Sequence, residues 1–372
     1  MTSSAPSTYI VTLKGVMTAE SPLATTLPSL RSRPADSEQP SPLPKMVVNY
    51  GSQRVTVPYM PGSGIRGRLR RCAVDLLKRI YPDGMKLQDY YYLAIGGVKG
   101  ADPESKADLG AAKKRREDNP LIGLFGAGAP WSQGRLSVSH AVPESPIGED
   151  VITGVRIDDI GRPGGLALLT EGEQSTWIDM AHHNSERSKK EATLKRLKDE
   201  LSGRGRSGKT PADADRAALQ IRIDTLTQEI ADHSARAYAT HSVLRPLPGY
   251  EFIPQGTRLT QNLTLTHVNR IEIGAFIASL REFAFNPVIG GRAAHHNGVV
   301  SARWMFAVRD SLSHDVISHG EMSITPYEGL DLADDFLDGC AQDFLDALQG
   351  GRFDFAAPVV KKGAQSDGDD ES

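Results

Sequence analysis

The sequence predicts an α+β fold, on three observations. Apolar and polar residues alternate at Tyr9–Met17 and again within Gly249–Val268, the period of half-buried strands. Between and after these runs stand segments with apolar residues at helical spacing, at 62–80, 272–285 and about 330–348. The stretch Ser185–Tyr238 differs from both. It reads as two charged helices that share one narrow apolar seam, a helical hairpin inserted into the rest.

Composition sets the outer limits. The chain has 372 residues, 39% hydrophobic and 24% charged, enough for one elaborated globular domain or two ordinary ones. No apolar run approaches a membrane span, and MTSSAPSTYIVTLKG lacks a basic stretch followed by an apolar one, so a cytoplasmic protein with no membrane partner is expected. Cys72 and Cys340 are far apart and inside predicted helices, which suits reduced, buried thiols and not a metal site. The formal net charge of -3 conceals an acidic end, SDGDDES, behind a body with local basic clusters.

Taken in order, YIVTLKGVM (9–17) opens as a strand, and the Pro- and Ser-rich residues 18–54 read as a functional or partly disordered loop. Strand, Pro61-Gly62 turn and helix follow, with Ile65, Leu69, Ala73, Leu76 and Ile80 as the buried stripe and Arg66 and Arg70 sharing another face. Residues 82–120 carry Tyr90, Tyr91 and Tyr92 and the charge run KKRRED (113–118), expected as a solvated loop. GRLSVSHAV (134–142) reads as a strand. In the hairpin, Leu194, Leu197 and Leu201 face Leu219, Ile223, Leu226 and Ile230. From Arg187 to Lys209 there are nine Lys/Arg against three Asp/Glu. Beyond it come the strand of GTRLTQNLTLTHV, a helix burying Ile273, Phe276, Ile277, Leu280, Phe283 and Ala284, the glycine-rich loop NPVIGGRAAHHNG (286–298), strands at 299–308 and near 321–325, and a helix burying Ala333, Leu337, Cys340, Phe344 and Leu348. The expected divisions are 1–184, 185–238, 239–355 and a disordered acidic tail at 356–372.

The chemistry concentrates at the first helix. Gly62, Ser63, Gly64 and Gly67 make its first turn small, so free N–H groups and the positive end of the dipole stand open beside arginines, a setting for phosphate. Two formal motif matches fail on context. GRGRSGKT (203–210) fits the Walker A pattern, but a charged helix delivers it, Pro211 follows, and no strand ends in a magnesium-binding Asp. GSGIRG (62–67) fits the dinucleotide pattern, yet Pro61 precedes it and the following helix is basic. His182-His183 and His295-His296 lack carboxylate or Cys company for a metal, and no G-x-S-x-G elbow occurs. Neither a cofactor nor a metal is expected.

YIVTLKG, PYMPGSGIRGRLR, LFG at 124–126, IPQGTRL and VIGGRAAHHNGVVSA occur in that order over residues 8–326. The series resembles the RAMP superfamily of CRISPR-associated proteins, within it the Cas-seven-type backbone subunit, and in length and loop content the type IV version. The resemblance implies a modified ferredoxin-like (RRM-like) palm with inserted lobes, including a β-hairpin thumb, and a homo-oligomer stacked along a guide RNA beside other effector subunits, with target DNA or RNA read by base pairing. Carried onto this chain, Gly62, Ser63, Gly64, Arg66 and Gly67 would hold RNA phosphates, Arg68, Arg70 and Arg71 standing close by. Gly290, Gly291, Arg292, His295 and His296 would close from the other side. Relatives that cut RNA carry an Asp in the loop after the first strand. Asp36 lies in that loop, but nothing around it suggests a metal site, so a binding scaffold and not an enzyme is expected. The alternatives are RNA cleavage by Asp36 and nucleotide binding at Lys209.

Overall fold

The computed structural model describes residues 7–26, 40–79, 81, 84–97, 109–128, 131–157, 169–202, 213–236 and 244–358. Asp36, Lys209 and the acidic end from 359 onward lie outside the described residues. The chain forms two compact units, Met1–Ile152 with Gly249–Ser372, and Thr153–Pro248.

The first unit is an α+β fold built on one antiparallel sheet. Strand β1 (Tyr9–Ala19) lies between β8 (Arg258–Val268) and β9 (Val300–Asp310), and β4 (Leu136–Val138) flanks β8. Helix α1 (Gly62–Leu77) follows β1 and α7 (Arg270–Phe285) joins β8 to β9. A first strand held between the last two is the split βαβ arrangement of a ferredoxin-like, RRM-like sheet. Beyond β9, β10 (Val316–Thr325) and β11 (Gly329–Leu332) extend it, and β5 (Val142–Pro143) pairs with β8.

The alternation in β1 decides which face is buried. Val11, Leu13 and Met17 join Phe276, Phe283, Leu69 and Trp304 in one apolar core, while Thr12, Lys14, Val16 and Thr18 point the other way. Helix α7 is set by a capping box, with Asn269 and Glu272 exchanging side-chain and backbone bonds, and it buries all six residues expected of it. Helix α8 (Asp335–Gln349) packs on α7 through Leu337, Cys340, Phe344 and Leu348. Ala333, expected on that face, precedes the helix and is exposed.

Three local readings are corrected. The segment 18–54 contains a strand, β2 (Lys45–Tyr50), hairpinned to β3 (Gln53–Pro58) around Gly51 in the left-handed region. The KKRRED run is the end of a helix, α3 (Leu109–Asp118), between α2 (Leu87–Ile95) and α4 (Pro120–Phe125). Lys, Arg, Glu and Ala are good helix formers, and Gly110, the one poor former in the run, sits in the first turn. The expected strand over 134–142 shortens to β4 and β5.

The second unit carries α5 (Glu171–Leu201) and α6 (Asp213–Arg236), entered by β6 (Asp150–Ile157) and left by β7 (Leu244–Phe252), which pair with each other. Leu197 and Ile223 are buried in its seam, and Leu194, Leu201, Leu219, Leu226 and Ile230 are half-buried there. Helix α5 starts well before residue 185 because Thr170 caps it, accepting from Glu173 N–H.

Both cysteines are free and buried, and burial pushes the Cys72 thiol up to about 11 and the Cys340 thiol up to about 12. Because the thiolate is the reactive form, neither should react with a thiol-specific disulfide reagent at pH 8 on the timescale of a free cysteine. Two thiols per chain should appear together on unfolding in denaturant. Fast labelling of the native protein would contradict the burial.

Candidate nucleic-acid interface

Helix α1 begins where β3 ends. Met60 and Ala141 exchange backbone bonds (3.0 and 2.9 Å), which pins the turn to the β4–β5 segment. Pro61 supplies an extended N-cap with no side-chain acceptor, and the first turn contains no acidic residue. His140 fills part of that role from across the chain, its Nδ1 accepting from Gly62 N–H at 3.0 Å, so its proton sits on Nε2. Sequence reasoning missed His140, because nothing in SVSHAV signals a partner 78 residues away. Ser63 and Gly64 are exposed. The positive end of a 16-residue helix therefore reaches the surface without a carboxylate to neutralise it.

Arg66 and Arg70 lie together on one face of α1, and both guanidiniums are taken up by backbone carbonyls. Arg70 is 8% exposed, and its guanidinium donates to Leu93 O, Tyr92 O (3.0 Å) and Gly126 O (2.9 Å). These carbonyls end α2 and α4, where the dipole is negative; Tyr92 O also accepts from Gly96 N–H (3.0 Å). Burial, followed by the nearby Arg66, lowers the Arg70 pKa to about 10, which leaves it charged at neutral pH. Arg66 is half-buried, donates to Phe125 O (2.5 Å) and has its pKa lowered by burial. Arg68 donates to Asn286 O (3.1 Å), the C-cap of α7. Arg66, Arg68 and Arg70 thus tie α1 to the ends of α4, α7 and α2.

Arg71 differs. It is exposed, and its Nη1 lies 3.8 Å from where a Cβ on Gly67 would stand, so the side chain folds back along α1 toward the Gly64 turn.

The glycine-rich loop adjoins this helix end. Arg68 holds its first residue, Asn286, and a Cβ on Gly290 would meet Met60 Cε at 3.1 Å. Gly290 has φ +80° and its neighbour Gly291 donates to Ala24 O (2.7 Å), so the loop is threaded close against the strap that follows β1. Arg292 and His296 are both in the left-handed region, unusual for residues with side chains. Arg292 is held there by stacking 4.0 Å over the Tyr250 ring, whose hydroxyl accepts from buried Asn297 (2.7 Å). His295 and His296 are exposed beside it. The structure therefore brings the two sequence-predicted stretches together, with Arg292 occupied by Tyr250 and the histidines free of it.

The sheet itself offers no stacking platform. On the open face, β1 presents Thr12, Lys14, Val16 and Thr18 and β8 presents Arg258, Thr260, Asn262, Thr264 and Thr266. RRM domains that read bases stack them on aromatic residues of the central strands, and these positions hold none. What lies ready is a helix end, a guanidinium and imidazoles, groups that suit a sugar–phosphate backbone and carry no base code. Among the described residues no cluster of three His, Cys, Asp or Glu is placed to hold a metal, and no helix is long and apolar enough to cross a membrane.

No family model matches the sequence, and no curated protein matches it. Among solved structures, the chain is similar to one in a structure described as a Type IV-B CRISPR Complex, at 17% identity over 80% of this chain and 90% of that one, with a TM-score of 0.39.

Proposed function

We propose that this protein is a guide-RNA-binding backbone subunit of a CRISPR effector complex, a RAMP protein of the Cas-seven type that acts in the cytoplasm. It binds and scaffolds, without catalysis or cofactor, and presents the guide for pairing with target DNA or RNA alongside copies of itself and other subunits. The observation that carries the reading is the contact of the segment opening α1 with the glycine-rich loop, through Met60 against Gly290 and Arg68 on Asn286, two stretches far apart in sequence that each carry exposed groups suited to phosphate. Contacts of this kind accept any guide sequence, because they address phosphates and leave the base edges free.

The test starts with absorbance at 260 and 280 nm across a size-exclusion profile, where RNA is expected to travel with a large species. Arg71→Glu should weaken single-stranded RNA binding about tenfold, uniformly across sequences, and flatten the salt dependence by about one phosphate contact. Arg79→Glu makes the same charge change just past the C-terminal end of α1, where Arg79 pairs with Glu282 (2.7 Å), and should do much less. A nucleic-acid-free monomer with no salt-sensitive RNA binding, or equal losses in the two variants, would sink the reading.

A further inference from the structure

The turn that carries His295 and His296 is fastened at two levels. At the outer level the loop is tied by its backbone to the strap that follows β1, where Gly291 N–H donates to Ala24 O (2.7 Å) and Gly298 N–H to Pro22 O (2.9 Å). At the inner level both shoulders of the turn meet one side chain. The Arg292 guanidinium stands 4.0 Å over the Tyr250 ring, and the buried Asn297 amide donates to the Tyr250 hydroxyl (2.7 Å). The residues between these shoulders, 293 to 296, are all exposed, so two alanines and two imidazoles project from the bracket.

The backbone of the turn works against this shape, so something must hold it. Arg292 and His296 have φ of +60° and +59°, a region that residues with side chains adopt rarely and keep only where their surroundings over-determine it. Two bonds close a short 3-10 turn, His295 N–H to Arg292 O and His296 N–H to Ala293 O (both 2.9 Å), but they run within the turn and tie it to nothing else. Tyr250, in contrast, is fixed. It lies in the first unit at the end of β7, is 8% exposed, and packs with Ala24 and Phe252. Beside it Ser41 donates to Gly249 O (2.8 Å) and accepts from Glu251 N–H (3.0 Å).

We infer that Tyr250 is a positioning residue for RNA binding, its ring and hydroxyl together holding His295 and His296 in place before the sugar–phosphate backbone arrives. A turn that is already set gives up little freedom when it binds. Tyr250 touches no RNA in this role. Arg292 serves the same end, because its guanidinium lies on the ring and fixes one shoulder of the turn. The inference deepens the RNA-binding function proposed above and rests on it.

The experiment measures binding of a fluorescein-labelled single-stranded RNA to the full chain freed of nucleic acid, with the fold of each variant checked by circular dichroism. The double change His295→Ala, His296→Ala alters exposed residues only and is expected to weaken binding about tenfold. Tyr250→Leu removes the stack and the acceptor together and should weaken it to the same extent. Tyr250→Phe keeps the ring under Arg292 and releases only Asn297, so a loss of about threefold is expected. This second variant carries the test where leucine at 250 prevents folding. The deciding measurement is a double-mutant cycle. In the histidine-free background neither change at 250 should weaken binding further, because nothing is left to position. A residue that only stabilises the fold would lower affinity by the same factor in both backgrounds. Tyr250→Phe binding as tightly as wild type, a further loss in the histidine-free background, or a histidine change without effect would each overturn the inference. Arg71→Glu tests the RNA reading by itself. Should it weaken binding while the histidine change does not, the RNA reading stands and the role of Tyr250 falls.

Discussion

Replacing Arg70 with methionine is expected to cost more stability than any other single change to an α1 arginine. The guanidinium supplies three charge-assisted bonds to Tyr92 O, Leu93 O and Gly126 O, and methionine would leave Leu93 O and Gly126 O facing an apolar side chain while Tyr92 O keeps only its bond from Gly96 N–H. Bonds from a charged donor contribute about 1.5–3 kcal/mol each, and a buried acceptor left bare costs about 1–3 kcal/mol. These terms do not add, and a total of about 3–5 kcal/mol follows, a large part of the 5–15 kcal/mol that typically holds a domain together. Lysine should not rescue the site, because one ammonium cannot reach two helix ends in the geometry of a planar fork. Arg71→Met, one residue on and exposed, should stay within about 0.5 kcal/mol of wild type. Urea unfolding of the three variants decides the matter, and equal midpoints for the methionine changes at 70 and 71 would refute the assignment. An Arg66, Arg70 double charge reversal would confound RNA binding with unfolding.

That contrast marks what the sequence could and could not say. Period and spacing identified Ile65, Leu69 and Ala73 on the buried stripe of α1 and the large apolar residues that α7 buries, because those patterns are local; Leu76 is half-buried, and Ile80 lies outside the described residues. The role of Arg70 depends on carbonyls at residues 92, 93 and 126, and backbone acceptors carry no side-chain signature. The same reason hid His140, whose imidazole caps a helix 78 residues before it. Other misses had signals that went unused. Thr170 followed three residues later by Glu173 is a helix start, and α5 begins there. Gly51-Ser52 between two alternating runs is a two-residue hairpin turn, and β2 and β3 meet at it. The two glycine-rich stretches were each legible as motifs. Their contact through Met60 and Gly290 is a product of the sheet order, which places the loop after α7 beside the helix after β1.

Gly62 and Gly64 belong to one motif, and substituting alanine in each is expected to move stability in opposite directions. Neither has a positive φ, so the difference lies in space alone. A Cβ on Gly62 would overlap Val138 O and come within 2.5 Å of Ser139 O, both backbone atoms that cannot swing aside. Gly62→Ala must push α1 away from the β4 segment, strain the His140 bond and cost about 1–3 kcal/mol. A Cβ on Gly64 meets nothing within 4 Å, so alanine there gains helix propensity and should stabilise the protein by about 0.5–1 kcal/mol. If phosphate approaches the helix end as proposed, that methyl group stands in its path, and Gly64→Ala should bind RNA more weakly while melting higher. A stabilising mutation that lowers affinity cannot be explained by unfolding, which makes this variant the sharper probe of the site. Should Gly64→Ala melt higher and bind RNA as well as wild type, the phosphates do not come to this helix end, and the exposed histidines of the neighbouring loop become the place to look.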